Sequence, residues 1–337
     1  MKIVIAPDSF KECLSSSQVA AAMAAAAREH WPGAEVVELP LADGGEGTLD
    51  VLAKALGADI REATVSDPLG RPVTARYGVA GKTAILEVAQ ACGLALLRPS
   101  ERNPLIATSR GVGELMMAAH SAGCRHFMVG LGGSATCDGG AGMLAVPGVR
   151  LLKDVSVELL CDVDAPFVGP KGAARVFAPQ KGASPQDVEV LEERMIRLAE
   201  AIRQETGTDV AQMPGAGAAG GLGGAFMAYF KARTISGIGK VLDLVHFREA
   251  TRNASLIITG EGKSDAQTLQ GKVPFGVLQC AGGTPVALLS GRIEDRQALL
   301  RAGFGPVIEV SPRDLPLSLA INPEITRHNL RAAVLAL

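Results

Sequence analysis

Aromatic residues are scarce in this chain: one Trp, two Tyr and nine Phe make up 4% of 337 residues. A surface that stacks nucleic-acid bases needs more of them. Positive charge is in no surplus either. Thirty-three Lys and Arg stand against 35 Asp and Glu, a formal charge of -2, so nothing is set aside to hold a nucleic-acid backbone. The longest wholly apolar run, Val19–Ala27, is mostly alanine and far shorter than the roughly 18 residues a membrane-spanning helix requires. The six cysteines contain no CxxC pair and the five histidines no metal-binding helical spacing. Reduced, mostly buried thiols and no zinc are expected. After Met1 and Lys2 the chain runs straight into Ile3-Val4-Ile5-Ala6, without the apolar stretch of a signal peptide. Nucleic-acid and membrane partners are therefore not expected, and a cytoplasmic location is.

Hydrophobic residues reach 47%, enough for a large core, and the length suits two domains. Glycine is the outlier: 40 residues, about 12% against a usual share of about 7%. These glycines gather in short groups between apolar runs, as tight loops that bring backbone N–H groups to a ligand would require.

The chain opens β-α-β-α. Ile3–Ala6 reads as a buried strand, and Ser15-Ser16-Ser17-Gln18 as a capping box that opens an Ala-rich helix ending near Trp31-Pro32-Gly33. Glu35–Leu39 is a second strand, and Thr48 can cap a helix closed by Gly57. From about Ser66 the character changes to turns and two strands around Gly81-Lys82. A helix over Ser109–Ala122 and a strand over Arg125–Leu131 follow, and Ser184-Pro185 starts a long helix to about Thr206. Alternation returns at the end, with strands at Ser255–Thr259, Pro285–Leu289 and Pro306–Val310 and a terminal helix over Thr326–Leu337. The first two and last three strands predict one five-stranded parallel sheet. Residues 1–65 plus 251–337 then form one α/β domain and 66–250 a second, inserted α/β domain.

Open parallel sheets bind ligands beyond the carboxyl ends of their strands. Here those ends carry APDSFK, LADGGEG, TGEGKSD and SG, which puts Asp8, Ser9, Lys11, Asp43, Glu46, Glu261 and Asp265 on one edge. Three acidic, glycine-bearing loops together suggest a site for cations and phosphate. GGSATCDGGAG (132–142) follows a strand, and its N–H groups, with Ser134 and Thr136, could cradle phosphate oxygens. No GxxxxGK[ST] loop is present. GAGAAG (215–220) has the GxGxxG spacing of a dinucleotide-binding turn but follows Met213-Pro214 rather than a strand, so it reads equally as close packing. Lys181 in PQKGA and Lys272 in LQGKVP stand beside glycine, where a lysine can neutralise phosphate or simply be solvated.

Taken together, the stretches IAPDSFK, LADGGEGT, SDPLGRPV, NPLIATSRGVGEL, GLGGSATCDGGAGM, CDVDAPFVGPKGAA, PQKGA, GAGAAGGLG and ITGEGKSDAQTLQGKVPFGV resemble the type 1 bacterial glycerate kinase family. The resemblance runs from residue 1 to about 311. It departs at Cys137, where asparagine is usual, at Glu12-Cys13, at Ala165, and in a shortened stretch from Ala145 to Leu160. It implies a flavodoxin-like domain with strand order 2-1-3-4-5 carrying an inserted α/β domain, and ATP-dependent phosphorylation of D-glycerate in a cleft between them. The bacterial branch implies 2-phosphoglycerate, with 3-phosphoglycerate as the less favoured product.

The roles implied are these. Lys11 and Lys272 stabilise charge on the transferring group. Asp43, Glu261 and Asp265 hold Mg²⁺, directly or through water. Either Asp138 or Asp162 accepts the hydroxyl proton. Asp8, Ser9, Gly44, Gly45, Glu46, Gly132, Gly133, Ser134, Thr136, Gln180, Lys181, Gly217, Gly220 and Thr268 contact glycerate or nucleotide. Two rival functions remain at this level: a nicotinamide-dependent dehydrogenase, suggested by GAGAAG, and a metabolite-binding protein without catalysis.

Overall fold

The computed structural model describes residues 1–337. Its eleven strands are, in chain order, β1 (Lys2–Ile5), β2 (Glu35–Glu38), β3 (Asp59–Ser66), β4 (Pro72–Ala80), β5 (Thr83–Glu87), β6 (His126–Gly130), β7 (Ser156–Leu160), β8 (Arg233–Ile235), β9 (Leu256–Ser264), β10 (Val286–Ile293) and β11 (Val307–Glu309). They form two sheets in two compact units, Met1–Asp43 with Ile238–Leu337, and Gly44–Gly237.

The first unit carries the all-parallel sheet β2-β1-β9-β10-β11, which is the flavodoxin-like order 2-1-3-4-5. Ile3, Ile5, Ile258, Ala287 and Leu289 fill its centre, against Leu330 and Val334 of the helix Pro323–Leu335. The Ala-rich helix Ser16–His30 covers the same core. Ser15 accepts from Gln18 N while the Gln18 side chain accepts from Ser15 N, and Arg28 and His30 stand in the last turn, where the helix dipole favours cations. Its alanines are strong helix formers with little side-chain entropy to lose.

The second unit has a six-stranded sheet, β3-β4-β5-β6-β7-β8. β3 to β5 pair antiparallel and β5 to β8 parallel. β3 and β8 are additions to the elements read from sequence.

The boundaries between units fall at 43/44 and 237/238, not at 65/66 and 250/251. The helix Thr48–Leu56 packs on β4 and β5, Leu49 N donates to Glu87 Oε1 at 2.6 Å, and β3 pairs with β4 along its whole length. Ile238 lies over Gly276, within 2.4 Å of where a Cβ there would stand, which ties 238–250 to the first unit. A second correction concerns TGEGKSD, expected as a loop. β9 runs on to Ser264, because its ladder with β10 continues through Ser290↔Glu261 and Arg292↔Lys263. Gly291 makes this possible: a Cβ there would lie 2.5 Å from the Gly262 carbonyl oxygen.

Candidate active site

In the first unit, β1 ends beside β9. Asp8 N donates to Gly260 O at 2.8 Å, and a Cβ on Gly262 would lie 3.6 Å from Lys11 N. DSFK and GEGKSD thus meet where the strand order reverses, the point at which such sheets place ligands. Asp8 is 7% exposed, and the one hydrogen bond its carboxylate accepts is from Ser9 N at 2.7 Å. Burial first, then the neighbouring Asp43 and, more weakly, Glu261, push its carboxyl well above the ordinary range; Ser9 N–H and Lys11 oppose this. Ser9 Oγ is buried with no partner.

Glu261 is buried on β9. Its Oε1 accepts from Ser264 Oγ at 2.9 Å and Thr268 Oγ1 at 2.6 Å, and Lys272 Nζ lies 3.5 Å from Oε2. Burial raises its carboxyl, against the pull of Lys272 and the two hydroxyls. Ser264 Oγ in turn contacts Ser290 Oγ at 2.6 Å. Thr268 is fully buried and donates its hydroxyl proton to Glu261. Lys11 is exposed, and the ion-pair partner of Glu261 is Lys272.

Asp265 caps the turn that follows, with Oδ1 accepting from Gln267 N and Oδ2 3.7 Å from Lys263 Nζ. No group of three or more His, Cys, Asp or Glu side chains could together hold a metal ion, so Asp43, Glu261 and Asp265 do not make a cage. The donors nevertheless suit Mg²⁺, which usually takes one or two carboxylates and completes its shell with water and phosphate oxygens. Glu261 and Asp265, each a carboxylate at the end of β9, fit a cation held in this way.

In the second unit, the parallel strands also end in one edge. Gly44 crosses it so closely that a Cβ there would lie 2.4 Å from Leu160 O, and a Cβ on Gly132 would lie 2.5 Å from Gly45 Cα. Glu46 and Gly133 are exposed; Ser134 and Thr136 are buried. The backbone N–H groups of Gly133, Ser134, Thr136, Cys137 and Asp138 donate to no acceptor of the chain. Such a run of free donors is an anion-binding feature. Beneath it lies Lys181, 3% exposed, with Nζ 2.9 Å from Ser134 Oγ and 2.7 Å from Thr136 O. Gln180 beside it is exposed.

Three expected roles change. Asp138 accepts from Ser109 N, Ser109 Oγ and Gly142 N through Oδ2 and from Gly140 N through Oδ1. With four donors it is a structural knot, not a free base. Asp162 accepts from Gly237 N at 3.1 Å, joining the ends of β7 and β8. Gly217 and Gly220 face protein backbone: Cβ atoms there would lie 2.2 Å from Pro166 O and 1.9 Å from Thr136 O. GAGAAG therefore packs under GGSATCDGG, and no strand leads into it, which leaves the dinucleotide-binding turn without its context.

Glu87 is a residue that pattern alone did not single out. It ends β5, is 2% exposed, and holds Leu49 N and, at 3.4 Å, Gln90 Nε2. Burial drives its carboxyl up to about 7, opposed by those two bonds and helped by Asp50 and Glu46. A polar residue closing an apolar strand, VAL-like in its neighbours (Ala84-Ile85-Leu86), was the available signal.

Comparisons with known proteins agree with this geometry. A sequence model of the glycerate kinase family matches residues 3–159 and 149–336. The chain is 41% identical over 351 aligned positions to a glycerate kinase of Bacillus subtilis (strain 168), across 94% of this chain and 92% of that protein. It is 42% identical over 328 positions to a glycerate 2-kinase of Escherichia coli (strain K12), across 88% and 86%. A crystal structure from Salmonella typhimurium LT2, provisionally assigned as a glycerate kinase 2, superposes with a TM-score of 0.81 at 38% identity, over 100% of this chain and 96% of that one. Fold and similarity together define an enzyme, a phosphotransferase with an alcohol group as acceptor. The chain belongs to the glycerate kinase family. No helix is long and apolar enough to cross a membrane.

Proposed function

We propose that the protein transfers the terminal phosphoryl group of ATP to D-glycerate, with Mg²⁺, and releases 2-phosphoglycerate. The observation that carries this is the junction of β1 and β9, where Asp8, Lys11, Glu261 and Lys272 gather at the switch point of a parallel sheet. Kinase chemistry asks for positioning and for charge neutralisation. Lys11 and Lys272 supply positive charge. Glu261 is oriented by Ser264 and Thr268. Asp8, at the strand end with acceptor capacity to spare, takes the proton of the acceptor hydroxyl, the role first expected of Asp138 or Asp162. Bound Mg²⁺ would neutralise charge on the phosphate oxygens, with Asp43, Glu261 and Asp265 as its candidate holders, directly or through water. The free N–H groups of 133–138 bind phosphate or carboxylate oxygens. The six free cysteines favour a reducing, cytoplasmic setting.

The 2-position is favoured because the relative from Escherichia coli is a glycerate 2-kinase. Phosphorus NMR of the product formed from ATP, Mg²⁺ and D-glycerate decides it: a 2-phosphoglycerate resonance is expected, and 3-phosphoglycerate would overturn the regiochemistry. Absence of any phosphoglycerate would overturn the whole proposal.

A further inference from the structure

We infer that Lys181 is a positioning residue: its buried ammonium fixes the Ser134 hydroxyl as a hydrogen-bond donor toward an anionic oxygen of a substrate seated on Gly132–Asp138. This rests on the proposed role of that loop as an anion-binding element and adds the residue that sets its polarity.

An ammonium has three donors and no acceptor. Lys181 Nζ spends one on Ser134 Oγ and one on Thr136 O. Ser134 Oγ therefore accepts from below, and its own proton must point away from Lys181. Left to itself a hydroxyl can donate or accept; held this way it presents a proton to whatever lies above the loop. Five backbone N–H groups of the same loop are without acceptors. The free N–H groups and the oriented Ser134 hydroxyl are all donors.

The charge points the same way. No carboxylate lies within ion-pair distance of Lys181, and the nearest, Asp138, already accepts four bonds. The other titratable neighbours are Cys92 and Cys137, thiols that burial keeps protonated by pushing them up to about 12 and about 11. Burial lowers the proton affinity of Lys181 itself. Asp138 acts on this charge only from beyond ion-pair contact, and an anion seated on the loop would balance it more fully. A lysine that simply grips phosphate extends its head to the ligand; this one is almost wholly inside and acts through Ser134.

Two substrate groups share the required chemistry, the phosphates of ATP and the carboxylate of D-glycerate, and steady-state kinetics of Lys181→Met tells them apart. Methionine matches the length and removes the charge. Loss of a charge-assisted contact should raise the KM of the substrate seated there by about 10-fold or more, the KM of the other substrate staying near wild type. The melting temperature should hold or rise, because an unbalanced buried charge is gone. A lower melting temperature with both KM values unchanged would show a merely structural lysine and overturn the inference. Ser134→Ala separates the two levels. If it leaves both KM values alone, the anion-binding role of the loop fails. If it raises one and Lys181→Met raises neither, only the role of Lys181 fails. Should Lys181→Met not fold, the wild-type protein labelled with ¹⁵N-lysine gives the answer. Its slowly exchanging buried ammonium signal should shift on adding ATP or D-glycerate, and a signal indifferent to both overturns the inference.

Discussion

Replacing Glu87 by glutamine should stabilise the protein above pH 7 and change little below pH 5. The carboxyl sits at the end of β5, 2% exposed, and burial lifts it from 4.5 to about 7. Between those two values the folded chain binds a proton that the unfolded chain has released. Stability must then fall as pH rises from 4.5 through 7 and level off above. A shift of about 2.5 units corresponds to about 3 kcal/mol, an upper bound for what ionised Glu87 costs the fold. Glutamine does not titrate, and its amide oxygen can still accept from Leu49 N. It gives up a charge-assisted bond of 2.6 Å, so a net gain of about 1–2 kcal/mol at pH 8 is expected. Urea unfolding of both proteins at half-unit steps from pH 5 to 8.5 measures this as the difference between the two stability curves. That difference should open across pH 5 to 7. Curves that stay parallel throughout, or a variant less stable at pH 8, would refute the assignment of a strained buried carboxyl to Glu87.

Lys11→Met and Glu261→Gln should each lower kcat by about 100-fold or more while leaving the melting temperature near wild type, since both act on developing charge; unchanged turnover removes them from the site. Gly220→Ala should fold poorly or not at all, because the new Cβ would lie 1.9 Å from Thr136 O at a φ of +67°. Gly57→Ala, at a φ of +61° with open space around it, should cost only about 1–2 kcal/mol, and equal losses in the two variants by thermal unfolding would contradict the packing argument.

The parallel sheet of the first unit was legible because its strands are continuous apolar runs separated by helical periodicity. Capping at Ser15 and Ser184 was also legible, since the geometry of a capping box depends on residues three apart. The division into units was not. What assigns the helix Thr48–Leu56 to the second unit is its contact with β4 and β5 and the bond from Leu49 to Glu87, both long-range. The extent of β9 was hidden for the opposite reason: GEGKS has the composition of a loop, and only pairing with β10 makes it a strand. Residue type identified Lys11, Glu261 and Lys272 as charged groups near a strand end. It could not show that Asp138 is saturated by four donors or that Lys181 is buried.

The glycine motifs carry the most instructive difference. Read as a string, GGSATCDGG and GAGAAGG both suggest loops that a ligand approaches. In the fold they perform different tasks. Gly217, Gly220 and Gly221 lack side chains because Pro166, Thr136 and Gly139 occupy that space, and Gly139 N is satisfied by Gly220 O. The second motif thus supports the first and takes up its Gly139 N–H. What remains in the first is a stretch from Gly133 to Asp138 pinned at both ends, by Gly132 N on Gly44 O and Gly139 N on Gly220 O, and in the middle by Ala135 N on Cys92 O. Its other N–H groups find no acceptor of the chain. A loop held that firmly, with its donors unspent and an ammonium beneath, binds an anion without first having to order itself, which is the preorganisation that phosphoryl transfer requires.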